Sequence, residues 1–130
     1  MNAINAMTAS DRTSRIDKVL TSITGLRGVT AAAVIDSDGF VTHVRRDFEI
    51  NTDALGAAVQ IAFGSARRAS EHVAQGSTNL VLVENKDGLV MFAPLAKGFV
   101  LALVGDASAM LGAVRFELKQ TIPELNQYFG

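Results

Sequence analysis

The chain has 130 residues, a mass of 13.8 kDa and a formal net charge of −1 at pH 7. This length is typical of one domain, and a hydrophobic fraction of 48% is too high for an intrinsically disordered protein. The near-neutral charge argues against a nucleic-acid-binding protein, and the absence of cysteine excludes disulfides, thiol catalysis and thiolate metal sites.

Residues 1–8 are small and polar without periodicity. They predict a flexible N-terminal tail, followed by a single domain over residues 9–130. The tail lacks the basic start and the apolar core of a signal peptide. The longest apolar run, residues 89–96, is well short of the ~20 residues that a membrane helix needs. We therefore expect a cytoplasmic protein that does not insert into membranes.

The hydrophobic pattern predicts eight elements. In chain order they are a helix that ends at Gly25, strands over 29–35 and 40–46, a helix over 52–74, strands over 79–84, 89–93 and 99–104, and a C-terminal helix that ends near Ile122. Ser10 or Asp11 is expected to cap the first helix. The last helix is expected to start near Asp106 or Ser108 and to stop before Pro123, which cannot donate a backbone hydrogen bond.

The strand pattern predicts the sheet order. The strand over 99–104 has no polar side chain, which is typical of a central strand covered on both faces. The strand over 40–46 carries His43, Arg45 and Arg46, as edge strands often do. Tight hairpins require antiparallel pairing. We expect an α/β (α+β) fold with element order α-β-β-α-β-β-β-α and a five-stranded antiparallel sheet in the order 2-1-5-4-3, with two helices on one face and the long helix on the other.

The long helix over 52–74 has two uncharged faces. The stripe expected to pack on the sheet comprises Leu55, Val59, Ala62, Phe63, Ala66, Ala69 and Val73. The second face comprises Ala54, Ala57, Ala58, Ile61, Gly64 and Ser65. A high helix propensity alone could account for the alanines. We favour the alternative, in which a partner helix packs on this second face, most simply the same helix of a second copy. Gln60, Arg67 and Glu71 form the sector expected to face solvent.

The sequence carries no recognisable catalytic motif. It has no G-x-S-x-G elbow and no G-x-x-x-x-G-K-[ST] phosphate-binding loop, and neither His43 nor His72 has a neighbour at metal-ligand spacing. The acidic turn DSDG at 36–39 lacks the remaining ligands of a calcium loop. We therefore predict that the protein is not an enzyme and that it binds no metal and no cofactor.

Three stretches carry a resemblance to a known family. They are LRGVTAAAVIDSDG at 26–39, LVLVE followed by KDG at 80–88, and FVLALVGD at 99–106. In their order and spacing, residues 12–122 resemble the roadblock family, named for a dynein light chain. The match is with its bacterial branch, whose members are associated with Ras-like small GTPases.

The resemblance implies a homodimer in which the second helix and the third strand of two subunits meet, and it brings no catalytic residues with it. The expected dimer interface comprises Ala54, Ala57, Ala58, Ile61, Gly64, Ser65, Arg68, Leu80, Val81, Leu82 and Val83. Gln60, Arg67 and Glu71 form a candidate surface for a further partner.

The leading functional hypothesis is a dimeric, non-catalytic interaction module that binds and regulates a Ras-like small GTPase. One alternative is a structural adaptor without effect on a GTPase. Another is a small-molecule-sensing domain of the profilin-like or PAS-like kind. Such a sensor needs a cavity with convergent polar groups, whereas the predicted interior strands carry almost no polar side chains. Nucleic acid is not expected among the partners.

Overall fold

The structure is a computed structural model that describes residues 7–129. Its elements are α1 (Ala9–Thr24), β1 (Val29–Ile35), β2 (Val41–Arg46), α2 (Thr52–Glu71), β3 (Val81–Asn85), β4 (Gly88–Pro94), a short 3-10 turn (Ala96–Gly98), β5 (Val100–Asp106) and α3 (Leu111–Asn126). The predicted element order is confirmed, with boundaries that differ by one or two residues at most strands. No helix among residues 7–129 is long and apolar enough to span a membrane.

The five strands form one antiparallel sheet in the order β2-β1-β5-β4-β3. This is the predicted order. β5, which has no polar side chain before its last residue Asp106, lies in the centre, where Ala102 pairs with Ala33 of β1 on one side and with Phe92 of β4 on the other. The two edges are β2 and β3. A strand buried on both faces must be apolar throughout, which is why β5 could be placed from its composition.

Helices cover the sheet on both faces, as predicted. Along β5, Leu101 and Leu103 point into a core shared with α1 and α3, whereas Val100 and Ala102 point into a second core under α2. The first core buries Ile16, Val19, Leu20 and Ile23 of α1 and Val114, Leu118 and Leu125 of α3. This alternation follows from the two-residue period of a strand.

The fold begins earlier than the sequence suggests. The side chain of Thr8, rather than of Ser10 or Asp11, caps α1 by accepting a hydrogen bond from the Asp11 backbone N–H at 3.0 Å. Met7 packs against the core shared by α1 and α3. The prediction of a tail over 1–8 is therefore wrong at Met7 and Thr8, and its first six residues lie outside the described part of the chain.

The start of α3 differs from the prediction because a tight turn precedes it. The Asp106 carboxylate accepts hydrogen bonds from the Ser108 backbone N–H at 2.8 Å and from its hydroxyl at 2.6 Å. These hydrogen bonds hold the pKa of Asp106 below its ordinary value. The turn occupies the residues expected to start the helix, which begins only at Leu111.

Pro123 does not stop α3, contrary to the prediction. Proline inside a helix costs about 3 kcal/mol, because it removes one backbone hydrogen bond and crowds the preceding turn. Continuing the helix buries Leu125 fully and Tyr128 almost fully. It also places the Asn126 Oδ1 atom 2.8 Å from the Ala96 backbone N–H, which donates to it. Burying two large side chains contributes roughly 3–6 kcal/mol, which offsets the cost of the proline.

The last turn predicted for α2 is absent. The helix ends at Glu71, and Ala74 adopts a left-handed backbone with φ of 54°. Ala69 and Val73, which the helical stripe assigned to the sheet, are exposed. The core under α2 contacts helix residues 55–63. The C-terminal turns of α2 extend past this core, which leaves Ala69 and Val73 exposed.

Candidate dimerisation surface

A close approach of two glycines fixes α2 on the sheet. Gly56 is buried, and a Cβ atom at this position would clash with the carbonyl oxygen of Gly39. Gly39 lies in the β1–β2 turn with φ of +90°, a conformation that favours glycine. The helix therefore touches the hairpin backbone directly. Sequence reasoning missed this contact, although a glycine inside an alanine-rich helix is a signal for close backbone approach.

Gln60 links α2 to two turns of the sheet. Its side-chain amide donates hydrogen bonds to the carbonyl oxygen of Asp36 at 2.8 Å and to that of Gly98 at 3.1 Å. Gln60 is half-buried, so its assignment to a solvent-facing sector is wrong. The reason is that its amide reaches turn carbonyls that only the folded chain brings next to the helix. Arg67 and Glu71 are exposed, as predicted.

The outer face of α2 is small, apolar and open. Ile61 is 69% exposed in the single chain. The exposed residues of this face are Ala54, Ala57, Ala58, Ile61, Ser65 and Arg68, with Gly64 half-buried among them. A Cβ atom at Gly64 would meet only Arg68 Nη1, at 3.5 Å, which is an ordinary van der Waals contact. Nothing within one described chain therefore requires glycine at position 64.

Arg68 is the charged residue of this face. Its Nη2 atom donates a hydrogen bond of 3.3 Å to Ser65 Oγ, so the guanidinium lies back along the helix. Arg68 forms no ion pair among residues 7–129, where the one pair of opposite charges closer than 4 Å is Arg46–Glu49 at 3.9 Å. The outer face of α2 therefore offers mainly short apolar side chains, which permit close approach of another helix.

The edge strand β3, together with Leu80 directly before it, carries the other predicted interface residues. In the described part of the chain β3 pairs only with β4, so its outer edge has free backbone groups. Val81 packs on the core under α2, whereas Leu80 and Leu82 pack on the opposite core. Val83 is 39% exposed. Hence the Val81 side chain lies on the same face of the sheet as α2.

The other sheet edge differs in chemistry. β2 ends in the exposed Arg45 and Arg46. Its His43 is half-buried and contacts Thr42 Oγ1 through Nδ1 at 2.9 Å. Burial lowers the pKa of His43, and the charge of Asp17 opposes this effect in part. A charged edge discourages pairing with another strand, so β3 is the better candidate for sheet extension.

The comparisons with known proteins agree with this geometry. A family model described as the Roadblock/LC7 domain matches residues 15–105. The uncharacterized protein MJ0714 of Methanocaldococcus jannaschii is 26% identical over 116 residues, which cover 89% of this chain and 98% of the relative. A Roadblock/LC7 domain from Streptomyces avermitilis superposes with a TM-score of 0.80 at 19% identity, over 87% of this chain and 96% of that chain. MglB with tetrameric arrangement superposes with a TM-score of 0.84 at 19% identity, over 94% of this chain and 91% of that chain.

At these identities the two superpositions show a shared fold. The family model extends from within α1 to the end of β5, so it includes α2, β3 and the whole candidate surface. Because Methanocaldococcus jannaschii is an archaeon, placement in the bacterial branch stays a prediction. The match spans well over half of the sequence, and this chain therefore belongs to the Roadblock/LC7 family.

Proposed function

We propose that this protein is a homodimeric interaction module that binds a Ras-like small GTPase and regulates its nucleotide cycle without catalytic residues of its own. The observation that carries the proposal is the outer face of α2, where Ile61 is 69% exposed amid small side chains. A contiguous exposed apolar surface of this kind marks an interaction site. Family membership and the resemblance described above support the choice of partners.

The first partner is a second copy of this chain. Two α2 helices related by a two-fold axis would bring their small residues together, and each interface residue would be used twice. The free edge of β3 can pair with its symmetry mate, which would satisfy backbone groups that now face solvent. The tetrameric arrangement of the solved MglB structure is consistent with self-association of this fold.

The second partner is the GTPase. Arg67 and Glu71 are exposed on α2 beside the proposed dimer interface, one helical turn apart. In a dimer, both copies of this pair would flank the two-fold axis and form one composite polar surface. A partner that reads this surface would recognise the dimer and not the single chain. Regulation would therefore depend on dimerisation.

The proposal is tested with the Ras-like GTPase whose gene lies nearest to that of this protein. GTP hydrolysis and nucleotide release are measured for the GTPase alone and with an excess of this protein. We expect a several-fold change in one of the two rates. The double variant Arg67→Glu/Glu71→Arg should abolish the effect and remain dimeric.

A matched control is Asp11→Arg/Arg15→Glu on α1, which also leaves the net charge unchanged and whose substituted side chains are exposed on the opposite face of the sheet. This variant should retain the wild-type effect. Stable binding of the GTPase with both rates unchanged would contradict regulation and identify the protein as a structural adaptor. Absence of binding by a confirmed dimer would refute the GTPase proposal.

A further inference from the structure

A groove lies on the face of the sheet opposite α2, between α3 and the β3–β4 edge. Its volume is about 370 Å³. The apolar lining comes from Leu80, Ala93, Pro94, Leu118, Ile122 and Pro123. Leu118 belongs to the core, while Leu80 and Ile122 are half-buried at its margin. The groove is open to solvent, so a polypeptide segment could lie in it.

The groove has a basic rim. Arg115 and Lys119 both line it, and both are exposed. They are four residues apart on α3, which places them one above the other on the same helix face. Neither has a carboxylate within 4 Å among the residues that the structure describes. Two adjacent, unpaired cations are notable on a chain whose net charge is −1.

The carboxylates of α3 lie on its other flank. Glu117 and Glu124 line a separate cleft toward α1, together with Lys18. The helix thus separates its charges, with cations over the groove and anions away from it. A groove occupant would meet an apolar floor and positive charge on one wall.

We infer that this groove binds an acidic, amphipathic peptide segment of a partner protein. Apolar side chains of the segment would cover Leu80, Leu118 and Ile122, while its carboxylates would pair with Arg115 and Lys119. Charge complementarity favours an acidic occupant over a neutral one. The open shape favours a polypeptide over a lipid chain, which would need an enclosed cavity to bury its length.

This inference does not depend on the proposed GTPase function. Leu80 at the strand edge is the one groove residue that also belongs to the expected dimer interface, and Arg115, Lys119 and the outer face of α2 lie on opposite sides of the sheet. A partner segment in the groove would leave Arg67 and Glu71 accessible. The protein could therefore hold two different partners at once, one on each face.

The probe is a phage-displayed library of random short peptides, selected on the full-length wild-type protein. Enriched peptides are synthesised with a fluorescent label, and their affinity is measured by anisotropy. We expect them to combine spaced apolar residues with several carboxylates. Arg115→Glu/Lys119→Glu should weaken binding by about tenfold or more, and binding should also weaken as salt is added.

Arg12→Glu/Arg15→Glu on the exposed side of α1 is the matched control, because it makes the same change in net charge away from the groove. Binding by this variant should stay within about twofold of wild type. The variant Ile122→Ala tests the apolar floor and should also weaken binding. Circular dichroism melts confirm that each variant is folded.

Three results would overturn the inference: no peptide is enriched, the enriched peptides carry no acidic residues, or their affinity is unchanged by both Arg115→Glu/Lys119→Glu and Ile122→Ala. Binding of oleate that Arg115→Glu/Lys119→Glu abolishes, with no peptide enriched, would reassign the groove to a fatty acid. The dimer mass and the GTPase rates of Arg115→Glu/Lys119→Glu are measured in parallel. They should equal those of wild type, so failure of the groove and failure of the GTPase proposal are distinguishable.

Discussion

Ile61→Glu tests the proposed dimer most directly, because it changes a side chain that a single chain leaves in solvent. Ile61 is 69% exposed, which corresponds to roughly 130 Å² of apolar surface. At about 25 cal/mol per Å², burying it in an interface contributes about 3 kcal/mol per protomer. A two-fold axis places two copies of Ile61 in the interface, so the two side chains together contribute up to about 6 kcal/mol.

Even half of that sum, about 3 kcal/mol, would weaken the dimer more than 100-fold. The glutamates add the cost of removing two like charges from water. We therefore expect Ile61→Glu to be monomeric at micromolar concentration, where wild type is dimeric. Its monomer should still fold, because position 61 faces solvent on the single chain. Analytical ultracentrifugation gives the mass, and circular dichroism gives the helix content.

The control is Phe116→Glu, which places the same charge at a side chain that is 65% exposed on α3. This helix lies on the other face of the sheet, so the dimer should persist. A monomeric wild type at micromolar concentration would refute the interpretation of α2 as an interface. A normal dimer of Ile61→Glu would refute it equally.

Three further predictions concern single residues. Gly64→Leu should stabilise the isolated helix by about 1 kcal/mol, because leucine has the higher helix propensity. The same change should weaken the dimer, and a mass distribution unchanged from wild type would contradict that weakening. Gly56→Ala should lower the free energy of unfolding by about 2 kcal/mol or more, because the new Cβ meets the Gly39 carbonyl, and urea denaturation measures the loss. Burial lowers the pKa of His43, so the unfolded chain takes up a proton more readily than the native chain as pH falls through the ordinary histidine value near 6.5. Native stability from His43 should therefore decline below that pH, and His43→Gln should show a flatter pH dependence of the unfolding free energy between pH 7 and pH 5. Equal slopes for the two proteins would contradict the lowered pKa of His43.

The element order and the sheet order were predictable because they depend on patterns that are local in sequence. A strand segment without polar side chains, such as residues 100–105 of β5, is expected where both faces are covered. The DSDG turn after β1 and the KDG turn after β3 each force the chain to reverse, which makes the neighbouring strands antiparallel. The small outer face of α2 was also predictable, because it depends only on helical periodicity.

The remaining features depend on contacts between residues that are distant in sequence. Pro123 stays inside α3 because Leu125 and Tyr128 are buried against elements from much earlier in the chain, α1 among them. The Gln60 side chain is half-buried because folding brings the carbonyls of Asp36 and Gly98 beside α2. No local pattern encodes these distances.

The two candidate surfaces differ in the same way. Sequence alone identifies the outer face of α2, since every residue of that face belongs to one helix and shares its period. The groove with Arg115 and Lys119 combines α3 with the β3–β4 edge, and only the packed sheet places these segments together. Amphipathic periodicity therefore determined which faces of the helices and strands are apolar. Tertiary packing decided which of those faces meet, because the free energy of burial depends on contacts between residues that are distant in the sequence.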